Sequence, residues 1–195
     1  MRGDNRAQDT EKVGAYLAFD DRYRGGLPAD GGPLRADRPD GASVQSFLPT
    51  NCPADNLNNR GAVTVVGYAG SKLLLCGDNE PASWLELLAN PQFRDAIAGT
   101  DVLLAPHHGR ESGYCPELFG YIRPRLTVIS DGRFCDTSAT GRYKAVTSGW
   151  TTFYRHRTGS ERRFCLTTRH DGDITIELGD SADGRPYLHA SVGQL

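Results

Sequence analysis

Two adjacent histidines, His107 and His108, close the run Asp101-Val-Leu-Leu-Ala-Pro-His-His-Gly109, and an aspartate, Asp78, closes the run Leu73-Leu-Leu-Cys-Gly-Asp78. Imidazole nitrogen and carboxylate oxygen are common donors to a divalent cation, so an Asp and a His brought side by side would make half of a metal site. The elements that must position them are short and apolar. Each run reads as a buried strand that stops at a residue unsuited to regular pairing, Pro106 in one and Gly77 in the other. Gly109 permits a sharp turn after the histidines. Both polar groups then lie where strands run out at their carboxyl ends, the end at which α/β sheets hold ligands.

The 195 residues suffice for one full core and are too few for two ordinary domains. A net charge of −2 supplies no global basic field for nucleic acid or an anionic membrane, so a phosphate-bearing substrate would need a local cluster or a metal. The five cysteines, Cys52, Cys76, Cys115, Cys135 and Cys165, form no C-x-x-C pair. An odd, dispersed set reads as reduced thiols in a cytoplasmic protein, with Cys76 as a small core residue. The N-terminus is polar and no apolar run approaches the roughly 20 residues of a membrane span, so neither signal peptide nor membrane contact is expected.

Residues 1–41 read as a poorly ordered or loop-rich segment, with one apolar stretch at Val13–Phe19, and 42–195 as the folded domain. Ala42–Leu48 alternates as a strand, Ala62–Tyr68 and Lys72–Cys76 as a hairpin. Trp84, Leu85, Leu87 and Leu88 predict a helix over Pro81–Asn90 with Pro81 in its first turn, and a second follows over Pro91–Gly99. Cys115–Ile122 and Ser138–Ser148 read as helices, and Arg125–Ser130 as a strand. Late strands are expected at Phe153–His156, Arg163–Thr168, Asp173–Leu178 and Tyr187–Val192, with Asp171-Gly172 as a hairpin turn between the second and third. Helices alternate with strands early and antiparallel strands dominate late. The expected class is therefore α/β, layered, with a mixed sheet.

From Asn58-Asn-Arg-Gly-Ala-Val-Thr-Val-Val through Cys76-Gly-Asp-Asn-Glu to Pro106-His-His-Gly and Glu117–Ser130, order and spacing resemble the metallo-β-lactamase fold over about residues 44–178. The likeness is to the branch that contains the hydrolase domain of the DNA-uptake channel protein ComEC. The resemblance implies the second half of an αββα sandwich and a metal-dependent hydrolase of phosphoesters or phosphodiesters, nucleic acid among them. It also implies two metal ions, zinc or alternatively manganese, with Asp78 bridging them and His107 or His108 completing one coordination shell. The other histidine would touch substrate or support the shell.

The chain departs from that family at the H-x-H-x-D-H motif. Its five histidines are His107, His108, His156, His170 and His189, and none precedes residue 107. Asp78 and one histidine are too few for two four-coordinate zinc ions. Asp20, Asp21 and Asp55 are carboxylates in the half of the chain where that motif would stand, and a carboxylate-only replacement would favour magnesium or manganese. Three readings follow: a split hydrolase completed by a partner chain or by self-association, an incomplete copy of a longer enzyme, or a non-catalytic binding or scaffold module without its metals. Around the site, Arg110 stands where relatives often carry Ser and would either bind a phosphate bidentately or be solvated. Thr140, Arg142 and Tyr143 would contact a phosphate or hydroxyl at a helix start, unless Asp136, Thr137, Ser138 and Thr140 serve as its N-cap. Arg155, His156, Arg157, Arg162, Arg163 and Arg169 form a late basic stretch that is either a solvated face or a phosphodiester track.

Overall fold

The computed structural model describes residues 32–36, 41–53, 55–132 and 139–193. Val13–Phe19, Asp20, Asp21, Asp136, Thr137 and Ser138 lie outside the described residues. Eleven strands and four helices are described. The first sheet holds seven strands in the order β1-β2-β3-β4-β5-β6-β9, and the second holds four in the order β10-β11-β7-β8.

β1 (Leu34–Arg35) pairs antiparallel with β2 (Ser43–Phe47), so regular pairing begins ahead of residue 42. β3 (Val63–Tyr68) and β4 (Ser71–Leu75) form the expected hairpin, closed by Ala69 and Gly70, both at positive φ. β4, β5 (Val102–Leu104) and β6 (Leu126–Ile129) then run parallel, with Leu73 opposite Val102 and Val102 opposite Leu126. The expectation that the Asp78 and His107 strands lie side by side, pointing the same way, is met. Between them run α1 (Pro81–Ala89), with Pro81 in its first turn, and α2 (Pro91–Ile97), with Asn90 as its N-cap.

The central strands are apolar on both faces because both faces are covered. Val63, Val65, Leu74, Cys76, Leu103 and Ile129 face the helices and pack with Trp84, Phe93 and Tyr143. Val102, Leu126, Val128 and Leu166 face the second sheet and meet Leu188, Ala190 and Val192. The molecule is thus a mixed α/β layered fold with helices on one face of a mixed sheet and a second mixed sheet on the other. No described helix covers the outer face of the second sheet, where Phe153 and Tyr187 are exposed.

Three segments differ from the sequence reading. Cys115–Ile122 is not an α-helix but a 3-10 turn over Pro116–Gly120. The run Arg163–Thr168 is two strands in different sheets. β8 (Ser160–Arg163) pairs with β7 (Trp150–Tyr154), and β9 (Cys165–Thr167) pairs with β6, the chain crossing over at Phe164. Asp171-Gly172 is not a hairpin turn. It ends the short helix α4 (Thr168–Asp171), and β10 (Ile174–Asp180) pairs instead with β11 (Pro186–Val192). The Asp171 carboxylate is 1% exposed and accepts from Arg163 at 2.9 Å and from the Thr167 amide at 2.8 Å, which spends it inside the fold.

Candidate metal site at the carboxyl ends of β4 and β5

β4 and β5 end together. The His107 amide donates to the Gly77 carbonyl at 2.9 Å, tying the turn after β5 to the turn after β4. His107 and His108 both adopt left-handed backbone (φ 47° and 55°), followed by Gly109 at φ 71°. A non-glycine residue in that region costs about 1–2 kcal/mol, so the double histidine stores strain that its surroundings must hold. The Arg110 amide donates to His107 O at 3.0 Å and the Ala139 amide to Gly109 O at 2.6 Å. Gly109 lies against buried Ile129, where a Cβ would come within 2.8 Å of two side-chain carbons.

The turn sends the two imidazoles to different carboxylates. His108 Nε2 lies 3.5 Å from Asp78 Oδ1, with the side chains 47% and 49% exposed. His107 Nδ1 lies 3.0 Å from Glu80 Oε1, with the side chains 12% and 18% exposed. Asp78–His108 is therefore an outer pair open to solvent, and Glu80–His107 an inner one.

The hydrogen bonds place one proton on each ring. His108 Nδ1 is 2.7 Å from the Ser130 carbonyl, which can only accept, so Nδ1 carries a hydrogen and, in the neutral ring, Nε2 turns its lone pair to Asp78. Two acceptors facing one another need a proton or a cation between them. Donors to one tetrahedral zinc stand roughly 3.3 Å apart, close to this separation. His107 Nδ1 donates to Glu80, with Ser112 Oγ also within 3.1 Å, while its Nε2 has the Arg110 guanidinium at 3.4 Å. A cation on His107 would have to displace an arginine. Of the two histidines, His108 is the one free to ligate.

Glu80 is held by three side chains. Asn56 donates to Oε2 at 2.7 Å and Asn58 to Oε1 at 3.2 Å, alongside His107. Burial alone would raise its pKa. The amides of Asn56 and Asn58 and the His107 imidazole outweigh burial and hold the carboxyl below its ordinary range. Asn59 accepts from the Glu80 amide at 3.0 Å. Asn79, fully buried, donates to Gly61 O and Cys76 O and so braces the end of β4. The sequence reading assigned no role to Glu80, Asn56 or Ser112. The available signal was Glu80 itself, two residues beyond Asp78 and in the same turn.

The remaining expected site residues lie as follows. Arg110 stands over His107. Arg142 is paired with Glu111 at 2.8 Å and stacked on Tyr114, its guanidinium carbon 3.8 Å from the ring centroid. Thr140 opens α3 (Thr140–Val146) and is half-buried. Tyr143 corrects the expectation of a rim contact: it is 1% exposed within the helix-side core and presents nothing to a substrate. Its inward direction follows from α3 packing against the first sheet. Much of the late basic stretch is engaged internally, Arg163 with Asp171, Arg169 with Asp131, and Arg162 with the Ser148 carbonyl at 2.7 Å.

Among the described residues, no three or more His, Cys, Asp or Glu side chains converge as a metal-binding group. Asp55 is exposed and joins none. The binuclear zinc centre implied by the resemblance does not fit these residues: one carboxylate and one imidazole can share one cation, and the inner pair is already satisfied.

No family model matches the chain, and no curated protein does. Among solved structures, the fold is similar to one described as a "putative zn-dependent hydrolase of the metallo-beta-lactamase superfamily" from Thermotoga maritima. Identity is 13%, the alignment covers 69% of this chain and 68% of that one, and the TM-score is 0.45. No described helix is long and apolar enough to cross a membrane.

Proposed function

We propose that this chain contributes the carboxylate–imidazole half of a metal-dependent phosphoester hydrolase, with phosphodiesters including nucleic acid as the substrate class. The remaining donors come from a partner chain or a second copy. The observation that carries this reading is the outer pair. Asp78 and His108 are fixed at 3.5 Å, half exposed, and the His108 lone pair is turned inward by the Ser130 carbonyl. Arg110, at the edge of the same turn, is the group suited to a phosphoryl oxygen. The ion is zinc or manganese, and the setting is cytoplasmic.

A second reading, a non-catalytic binding or scaffold module, is favoured by the inner pair. Glu80 and His107 satisfy each other, and Arg110 stands over the remaining His107 nitrogen. Turnover separates the two. The chain alone is expected to leave bis-p-nitrophenyl phosphate intact in zinc or manganese. Mixed with a polypeptide carrying H-x-H-x-D-H, it should gain metal-dependent turnover that Asp78→Ala and His108→Ala abolish. Undiminished turnover in Asp78→Ala would exclude the hydrolase reading. No turnover with any such polypeptide leaves the binding module.

A further inference from the structure

β4, β5, β6 and β9 run parallel, so β6 and β9 end beside the strands that carry the Asp–His pair, with Ile129 opposite Thr167. The residues that follow these two strands meet. The Thr168 hydroxyl donates to the Asp131 carbonyl at 2.6 Å and accepts from the Asp131 amide at 2.9 Å. One hydroxyl thus serves both backbone groups of a residue 37 positions away. Arg169 extends the grip. Its amide donates to Asp131 Oδ1 at 3.1 Å, and its guanidinium donates to the Gly132 carbonyl at 2.7 and 3.1 Å.

The amide that Thr168 receives belongs to the same peptide unit as the Ser130 carbonyl. That unit is planar and trans, so its N–H and C=O point opposite ways. Holding the Asp131 N–H on Thr168 therefore aims the Ser130 oxygen at His108 Nδ1, 2.7 Å away. Turning the plane would break both bonds together. Which imidazole nitrogen carries hydrogen is set by the bond the ring makes, so this carbonyl keeps a hydrogen on Nδ1. Released from it, the neutral ring could carry its hydrogen on Nε2 and donate to Asp78, and no lone pair would then face the carboxylate. Thr168 itself is placed from elsewhere. Thr167 caps α4 by accepting from the His170 amide at 3.2 Å, and buried Asp171 accepts from the Thr167 amide at 2.8 Å.

We propose that Thr168 is a positioning residue of the Asp78–His108 pair. It fixes the Ser130–Asp131 peptide, which keeps the His108 hydrogen on Nδ1 and leaves Nε2 to face Asp78 as a donor atom for a cation. The role presupposes that the pair holds the ion proposed above, but its hold on the imidazole is measurable without any ion. It reaches the imidazole through backbone, from a strand end two places along the sheet from β5.

NMR of the histidine ring nitrogens tests this on the full chain at about pH 9, where imidazoles are neutral. The unaltered chain should show His108 in the Nδ1–H form, its signals identified by their loss in His108→Gln. Thr168→Val keeps the side-chain shape and removes the hydroxyl, and the ratio of Nε2–H to Nδ1–H at His108 should rise about five-fold. Thr168→Ser restores the hydroxyl and should restore the ratio. His189, whose Nδ1 faces Glu177 on the second sheet, should stay unchanged throughout, whereas a general loosening would move it too. Zinc titrated into the same chains at about pH 7.5 should bind at His108 about ten-fold more weakly in Thr168→Val and equally in Thr168→Ser. An Nε2–H form in the unaltered chain overturns the proposal, even where the valine variant fails to fold. An unchanged ratio in folded Thr168→Val overturns it as well. A raised ratio with unchanged zinc affinity upholds the hold of Thr168 on the imidazole and sinks instead the assignment of the cation to this pair.

Discussion

Gly109→Ala should be the most damaging single-methyl change at the histidine turn. Two costs add. The residue sits at φ 71°, where a Cβ costs about 1–2 kcal/mol. The same Cβ would lie 2.8 Å from Cδ1 and from Cγ2 of Ile129, which is fully buried on β6 between the helices and the sheet and has no space to retreat into. Overpacking of that kind costs about 1–3 kcal/mol, so the sum is about 2–5 kcal/mol. For a chain of this size that corresponds to roughly 5–15 °C in Tm. Gly120→Ala is the control, because nothing lies within 4 Å of its Cβ position and its φ is not positive; its change should stay within about 0.5 kcal/mol. Urea and thermal unfolding of both variants provide the measurement. Adding Ile129→Val to Gly109→Ala removes one of the two closest atoms, so the double variant should recover part of the loss, a coupling that separates packing from backbone strain. A loss below about 1 kcal/mol in Gly109→Ala, or no coupling to Ile129, would refute the account of how this turn holds two left-handed histidines.

Two further changes test other parts of the structure. Glu86 on α1 accepts from the Thr50 and Asn51 amides at 2.6 and 3.1 Å and pins the loop that leads to Asn56; burial raises its pKa, but those amides and the Cys52 thiol outweigh it and hold it below the ordinary value of 4.5. A depressed carboxyl stabilises the fold above its unfolded value and loses that contribution as pH falls through the folded one, so the urea midpoint should drop below about pH 4.5, and Glu86→Gln should flatten that part of the curve. Tyr143→Phe removes a buried hydroxyl that has no hydrogen-bond partner among the described residues, and thermal unfolding should show it neutral or more stable by about 1 kcal/mol.

The sequence carried the centre of the fold well. Leu73–Leu75 and Val102–Leu104 are short, apolar on both faces and ended by residues that cannot continue a ladder, which is what parallel neighbours buried between two layers require. Pro81 and the Trp84–Leu88 spacing carried α1 for similarly local reasons. The sheet switch at Phe164 was not legible, because alternation reports which side chains are covered and not which sheet covers them. Asp171-Gly172 has the composition of a hairpin turn. Its carboxylate is instead drawn inward by Arg163, a partner eight residues back at the end of β8. At the site, the Asp–His convergence followed from the strand ends. The split into an inner and an outer pair did not, since it depends on a left-handed backbone that two histidines give no sign of adopting. Tyr143 was misplaced for a simpler reason: a polar-tipped aromatic at a helix start reads equally as rim or core.

The crossover at Phe164 also binds the two layers mechanically. Arg163 is laced to β7 and Cys165 to β6, with one residue between them. Neither sheet can peel or slide by a register step without dragging a strand out of the other. Amide exchange in β6 and in β7 therefore reports a single opening event, and the second sheet melts together with the layer that carries the histidines.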